Sequence, residues 1–183
     1  MKYTIKIPMY LFKTIITKTI LGKKIIFDGI QKLHFLSEIH ARHGKIYLGK
    51  KITLGKRAVL AAPEGIIKIG NFSFLNRNCL IVSKKNITIG KNCSFGPNVC
   101  IYDHDHVFDE TGYYGNKFST GTVEIGDRCW IGANTVILKN TKIGEGCIIG
   151  AGCIIQGEIP PYSLVKNSRE FQIIPLKKRE THE

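Results

Sequence analysis

Branched aliphatic residues recur every six positions through most of this chain. Written in sixes, residues 122–157 read TVEIGD, RCWIGA, NTVILK, NTKIGE, GCIIGA and GCIIQG, each with Ile in the fourth place. The same register runs backwards through Leu48, Leu54 and Leu60, then Ile69, Leu75 and Ile81, then Ile89, Phe95 and Ile101. It continues as Ile125, Ile131 and Ile137, then Ile143, Ile149 and Ile155, giving five groups of three. Extra residues fall only after a third block: three before Ile69, two before Ile89 and eighteen before Ile125. Three blocks that make one turn of a three-sided coil send every insertion out along one vertical edge. Short strands turned at three corners describe an all-β fold, a parallel β-helix of about five coils over residues 45–159. The residue after the aliphatic one is Gly in nine of ten first and second blocks, the exception being Asn76. Both residue types tolerate positive φ, so these places are expected to be the sharp corners.

The register also accounts for the cysteines. Cys79, Cys93, Cys129, Cys147 and Cys153 each stand two residues before an aliphatic row position, where Ala58, Ser73, Thr135 and Thr141 stand in other blocks. They read as small inward-pointing residues rather than disulfides, metal ligands or nucleophiles, which suits a reduced, cytoplasmic protein.

Charge changes the picture at one end only. The 183 residues carry a formal charge of +13, and residues 1–57 hold thirteen Lys and Arg against Asp28 and Glu38. Residues 1–44 form a basic, aliphatic segment in which lysines alternate with Ile, Leu, Phe and Tyr. No apolar run there is long enough to span a bilayer, and no uninterrupted apolar stretch precedes a small-residue cleavage site. Two roles fit: an amphipathic segment touching the inner face of a membrane, or a helix or strand covering the end of the coil. Nucleic acid is not an expected partner, because the body lacks interleaved aromatics and a recognition motif. Residues 160–183 form a C-terminal tail.

The eighteen-residue insertion, a loop over 104–121, has neither helical nor strand period. It cannot join the stack, and long loops on a rigid scaffold commonly carry function. It opens with His104 and His106 among Asp103 and Asp105, both histidines of the repeat body. Imidazole titrates near working pH and suits removal of a proton from an attacking hydroxyl or amine. Two histidines could instead ligate a metal, but the repeat body supplies no third, and no metal is expected.

Two segments, NFSFLNRNCLIVSKKNITIGKNCSFGPNVCIYDHDH and VEIGDRCWIGANTVILKNTKIGEGCIIGAGCIIQGEIPPYS, resemble the hexapeptide-repeat acyltransferases over roughly residues 65–165. The similarity is greatest to the maltose and galactoside acetyltransferase branch and to O-acetyltransferases of capsule and O-antigen clusters. The resemblance implies a left-handed coil, a homotrimer with sites between subunits, acetyl-coenzyme A as donor and a sugar or glycan hydroxyl as acceptor. A gap-free match puts the family's general base on His106 and its acceptor-holding asparagine on Asn76; a two-residue shift would put the base on His104. Tyr102, Asp103 and Asp105 are then expected beside the acceptor. The donor's pantetheine arm is matched to Trp130, Gly132, Ala133, Gly150 and Ala151. Beyond IPPYS the chain reads LVKNSREFQIIP and departs from the family's Gly-Asn-Pro turn, leaving Lys166 and Arg169 as the candidates for the donor phosphates. N-acetylation of an amino sugar and a non-catalytic scaffold are the rival readings.

Overall fold

The computed structural model describes residues 6–167, with side chains from residue 9 onward. Its body is a left-handed parallel β-helix of about six coils. The ladders confirm the six-residue register row by row. On the first face Phe27, Leu48, Ile69, Ile89, Ile125, Ile143 and Ile159 are successive Cα partners. The second face stacks Leu33, Leu54, Leu75, Phe95, Ile131, Ile149 and Val165. Ile39, Leu60, Ile81, Ile101, Ile137 and Ile155 stack on the third. From Leu48 to Ile155 every one of these row side chains is buried. Row residues lie directly on one another from coil to coil, so the core is one continuous apolar column. Each coil buries its neighbour's apolar rows, which no single coil could do alone.

The stack begins one coil before the row that the aliphatic pattern made visible. Strands Ile25–Phe27, Lys32–Leu33 and Glu38–His40 complete a coil beneath Leu48, Leu54 and Leu60. Phe27, Leu33 and Ile39 are six apart, with three extra residues before Leu48. The pattern is masked because Ile26, Ile30 and Phe35 on the outside of this coil are as apolar as its inside. Asp28 and His34 also stand where later blocks carry Gly.

The glycines serve a purpose other than the expected one. Positive φ falls three residues after the row position, at Asn78 (57°), Asn98 (59°) and Asn134 (58°) among others. Here the side chains form a ladder, Asn78 Nδ2 donating to Asn98 Oδ1 at 3.0 Å and Asn98 Nδ2 to Asn134 Oδ1 at 2.9 Å. Gly70, directly after its row residue, has an ordinary φ, but a Cβ there would lie 2.6 Å from the carbonyl carbon of Gly90 in the next coil. Close approach of stacked coils, not a corner dihedral, therefore excludes a side chain.

The five register cysteines are buried and unbridged, as the pattern implied. Their thiols reach main-chain carbonyls, Cys93 on Gly126 and Cys129 on Gly144 at 3.1 Å each. Burial pushes the Cys79 thiol up to about 11. Only Cys100, on the outward side of the third face, is half-exposed.

A helix, Lys6–Leu21, lies across the first coil. Among the described residues no helix is long and apolar enough to cross a membrane. The helix supplies donors on the side where the end coil has no further strand to pair with. Thr14 Oγ1 reaches the Gln31 carbonyl at 3.3 Å, and Lys13 Nζ donates to the carbonyls of Phe35 and Ser37.

Two outcomes follow. Gly70→Ala should lower stability by about 1–3 kcal/mol through overpacking against the neighbouring backbone, read from thermal or urea unfolding. A thiol reagent should modify Cys100 alone in the native protein and all six thiols after denaturation.

Candidate functional site

The insertion folds as an antiparallel hairpin. Its strands are His104–Asp109 and Gly112–Thr120, with a register shift between His106 and Val107. No strand period is visible here because that irregularity breaks the alternation and neither face of the hairpin is covered by a second layer. The hairpin leaves from the third corner, and Gly121 N–H to the Asp103 carbonyl at 2.7 Å closes its root.

Asp103 anchors that root. It is fully buried and accepts from Ser83 Oγ at 2.7 Å, from the Lys84 and Lys85 amides at 2.8 and 2.9 Å, and pairs with His104 Nδ1 at 3.1 Å. Its carboxylate is turned inward onto these partners. A neutral imidazole that donates Nδ1–H to a carboxylate carries its lone pair on Nε2. The His104 side chain is 12% exposed and sits edge-on to Tyr102 and Phe118, with centroids at 6.2 and 5.5 Å.

His106 stands on the same face of that strand, one pair further from the root, and is exposed. Its ring rests against Phe118 at 4.7 Å and edge-on to Tyr113 at 5.6 Å, and among the described residues its nitrogens hold no hydrogen bond. Two lysines brace the hairpin on the body. Lys84 Nζ stands 3.8 Å from the Phe118 ring centroid, and Lys139 Nζ reaches Asp105 Oδ2 at 3.1 Å and Ser119 Oγ at 2.7 Å. Asp105 is thereby tied to Lys139, while burial raises the Tyr102 phenol above its ordinary pKa.

The residues matched to the donor gather at another edge. Trp130 projects outward from the second face, 56% exposed, between Ser94 and Ile148 on the adjoining coils. Gly132 and Ala133 turn the corner after it, and Gly150 and Ala151 turn the same corner one coil on. A Cβ on Gly132 would lie 2.5 Å from the Ala151 nitrogen, so coil stacking alone already requires glycine there. Lys166 is exposed just beyond Val165, the row residue of the following coil. Arg169 lies outside the described residues. Asn76 stands at this second corner too, with its Oδ1 accepting the Arg77 amide at 2.8 Å. No described hydrogen bond, ion pair or ring contact joins this group to the histidines at the third corner. Among the described residues no three His, Cys, Asp or Glu side chains are grouped to hold a metal ion.

Ser83, Lys84, Lys139 and Phe118 escaped the sequence reading. A signal for the first was present. Ala41, Ala62, Ser83 and Asp103 all stand two residues after a third-face row position, and all are buried. A carboxylate in a column of small buried residues requires partners on the neighbouring coil.

Asp103→Ala should cost about 2–4 kcal/mol, because it leaves the Lys84 and Lys85 amides without their acceptor and the Ser83 hydroxyl with the Ile66 carbonyl alone. Asp105→Ala loses one half-exposed ion pair and should cost under about 1 kcal/mol in the same urea titration.

Residues 122–157 match the family model described as bacterial transferase hexapeptide (six repeats). Nodulation protein L of Rhizobium meliloti is 41% identical over 102 residues, covering 56% of each chain. A hexapeptide-repeat acetyltransferase of Vibrio cholerae, solved with acetyl coenzyme A, is 28% identical at a TM-score of 0.51 over 61% of this chain and 63% of that one. An N-acyltransferase from Bacillus cereus, in complex with dTDP and coenzyme A, shares the fold at 19% identity, with a TM-score of 0.66 over 89% and 88% of the two chains. The chain spans about half the length of the curated relatives it matches. The chain therefore carries the hexapeptide repeat over residues 122–157 and shares the fold of hexapeptide-repeat acetyltransferases of known structure.

Proposed function

We propose that the protein transfers an acetyl group from acetyl-coenzyme A to a hydroxyl of a sugar in a cell-surface polysaccharide or its precursor. The observation that carries this reading is the hairpin root, where two imidazoles project from a base fixed by a buried carboxylate. His106 is assigned as general base, because its ring is exposed and its nitrogens hold no hydrogen bond among the described residues. It takes the acceptor's proton as the hydroxyl oxygen attacks the thioester carbonyl carbon. As the carbon–sulfur bond breaks, the imidazolium returns that proton to the leaving thiolate, and free coenzyme A departs. Direct transfer leaves the buried cysteines without a part.

The separation of the two residue groups supports a trimer. Histidines at one edge of a prism and Trp130, Gly132, Ala133, Gly150, Ala151 and Lys166 at another fit a site completed by a neighbouring subunit, and cyclic symmetry repeats it three times. Acetyl coenzyme A in the Vibrio relative supports the donor. The donor and the free thiols both suit the reducing cytoplasm. The rival acceptor, the amine of an amino sugar, would use the same donor groove and base.

A second reading of the base has its own observation. The Asp103 contact fixes the His104 tautomer with Nε2 as the acceptor, which also suits a base.

Thiol release from acetyl-coenzyme A with a panel of sugars and amino sugars tests both readings. His106→Ala should lower kcat about 10²–10⁴-fold with little change in the donor KM, and His104→Ala should do much less. Trp130→Ala should raise the donor KM. Collapse of His104→Ala alone transfers the base to His104. No turnover together with no acetyl-coenzyme A binding would leave a non-catalytic scaffold.

A further inference from the structure

The N-terminal helix is packed the wrong way round for a soluble protein. The side that meets the coil is largely polar: Thr14 is 7% exposed, with Tyr10, Lys13, Thr17 and Leu21 half-buried beside it. The side that faces outward is apolar. Met9, Phe12, Ile16 and Ile20 follow one another at helical spacing with Leu11 and Ile15 alongside, and Phe12 and Ile20 are 64% and 76% exposed. The end of a parallel ladder explains the inner face. It presents carbonyls with no further strand to pair them, and those of Gln31, Phe35 and Ser37 are met by Thr14 and Lys13. Hydrogen-bonding side chains are needed underneath, so the helix's apolar residues are left on top.

What covers that face is indicated by charge. Exposed Lys18, Lys23, Lys24 and Lys32 surround it, and residues 1–57 carry thirteen basic residues against two acids. A second copy of this chain would bring an equally basic end against it. An anionic surface would be complementary instead. Met9, Phe12, Ile16 and Ile20 also line an apolar cavity of about 390 Å³ shared with Phe35 and Ile39 of the first coil, open on the same side. The helix does not have the length of a membrane span.

We infer that Lys6–Leu21 is an interfacial helix that lays its outward apolar face into an anionic lipid surface, with the surrounding lysines on the headgroups. The coil then stands with its N-terminal end on the membrane and its hairpin several coils away. The inference is independent of acetyl transfer, because lipid binding is read without any chemistry.

Flotation of the full chain with vesicles tests it. Phosphatidylcholine vesicles containing phosphatidylglycerol should carry at least about tenfold more protein than pure phosphatidylcholine, and the difference should shrink as salt is raised. Phe12→Gln with Ile20→Gln, and separately Lys18→Glu with Lys23→Glu, should each abolish flotation. Circular dichroism and melting temperature should stay nearly unchanged, because all four side chains are largely exposed. Equal binding to neutral vesicles, or none to either kind, overturns the inference. Loss of an oligomer by Phe12→Gln/Ile20→Gln in light scattering, without vesicle binding by wild type, overturns it in favour of a second copy as the cover.

Discussion

Everything in this molecule depends on the close stacking of one coil on the next. Backbone ladders hold successive strands in register, and at that spacing an Ile, Leu or Val in each row lies directly on the same kind of side chain above and below. Dispersion and burial reward identity between rows, which is why the sequence repeats. The same closeness forbids a Cβ at Gly70 and Gly132, lines up asparagines into a ladder, and leaves room for small residues such as cysteine at the inner corner places. Cutting a buried row isoleucine back to alanine removes contacts from three coils at once.

A stack of this kind is inert by construction, and the chemistry must stand outside it. The third corner is where the chain can leave without disturbing a row, and the longest departure carries both histidines. The stack still governs the departure. Asp103 occupies a buried corner place, finds Ser83 and two amides on the preceding coil, and from there orients His104. Lys84 and Lys139 then fasten the hairpin from coils on either side. A rigid column thus fixes the start of a histidine-bearing hairpin that is itself mostly exposed.

The rows, the faces and the point of insertion were legible in the sequence because burial imposes a period that single residues betray. Leu48 through Ile155 fell on their ladders as counted. The first coil was hidden, since Ile26, Ile30 and Phe35 remove the contrast between inside and outside. The glycines were legible as special but not for the right cause: coil-to-coil clearance is a tertiary constraint that leaves no local dihedral signature. At the site, the histidines were visible as chemistry out of keeping with the repeat. Asp103 was visible only as their neighbour, because its burial comes from a corner register shared with Ala41, Ala62 and Ser83. The apolar outer face of the N-terminal helix was equally hidden, as an amphipathic pattern does not say which side packs.

The central claim is that two edges of the prism, one from each of two subunits, make one acetyl-transfer site. A crystal structure with bound coenzyme A tests it most directly. The account predicts a trimer in which the pantetheine arm passes the Trp130 corner of one subunit, with its sulfur within about 4 Å of an imidazole, His106 or His104, on the hairpin of the next. Coenzyme A held by a single subunit, or bound with its sulfur remote from both histidines, would contradict it.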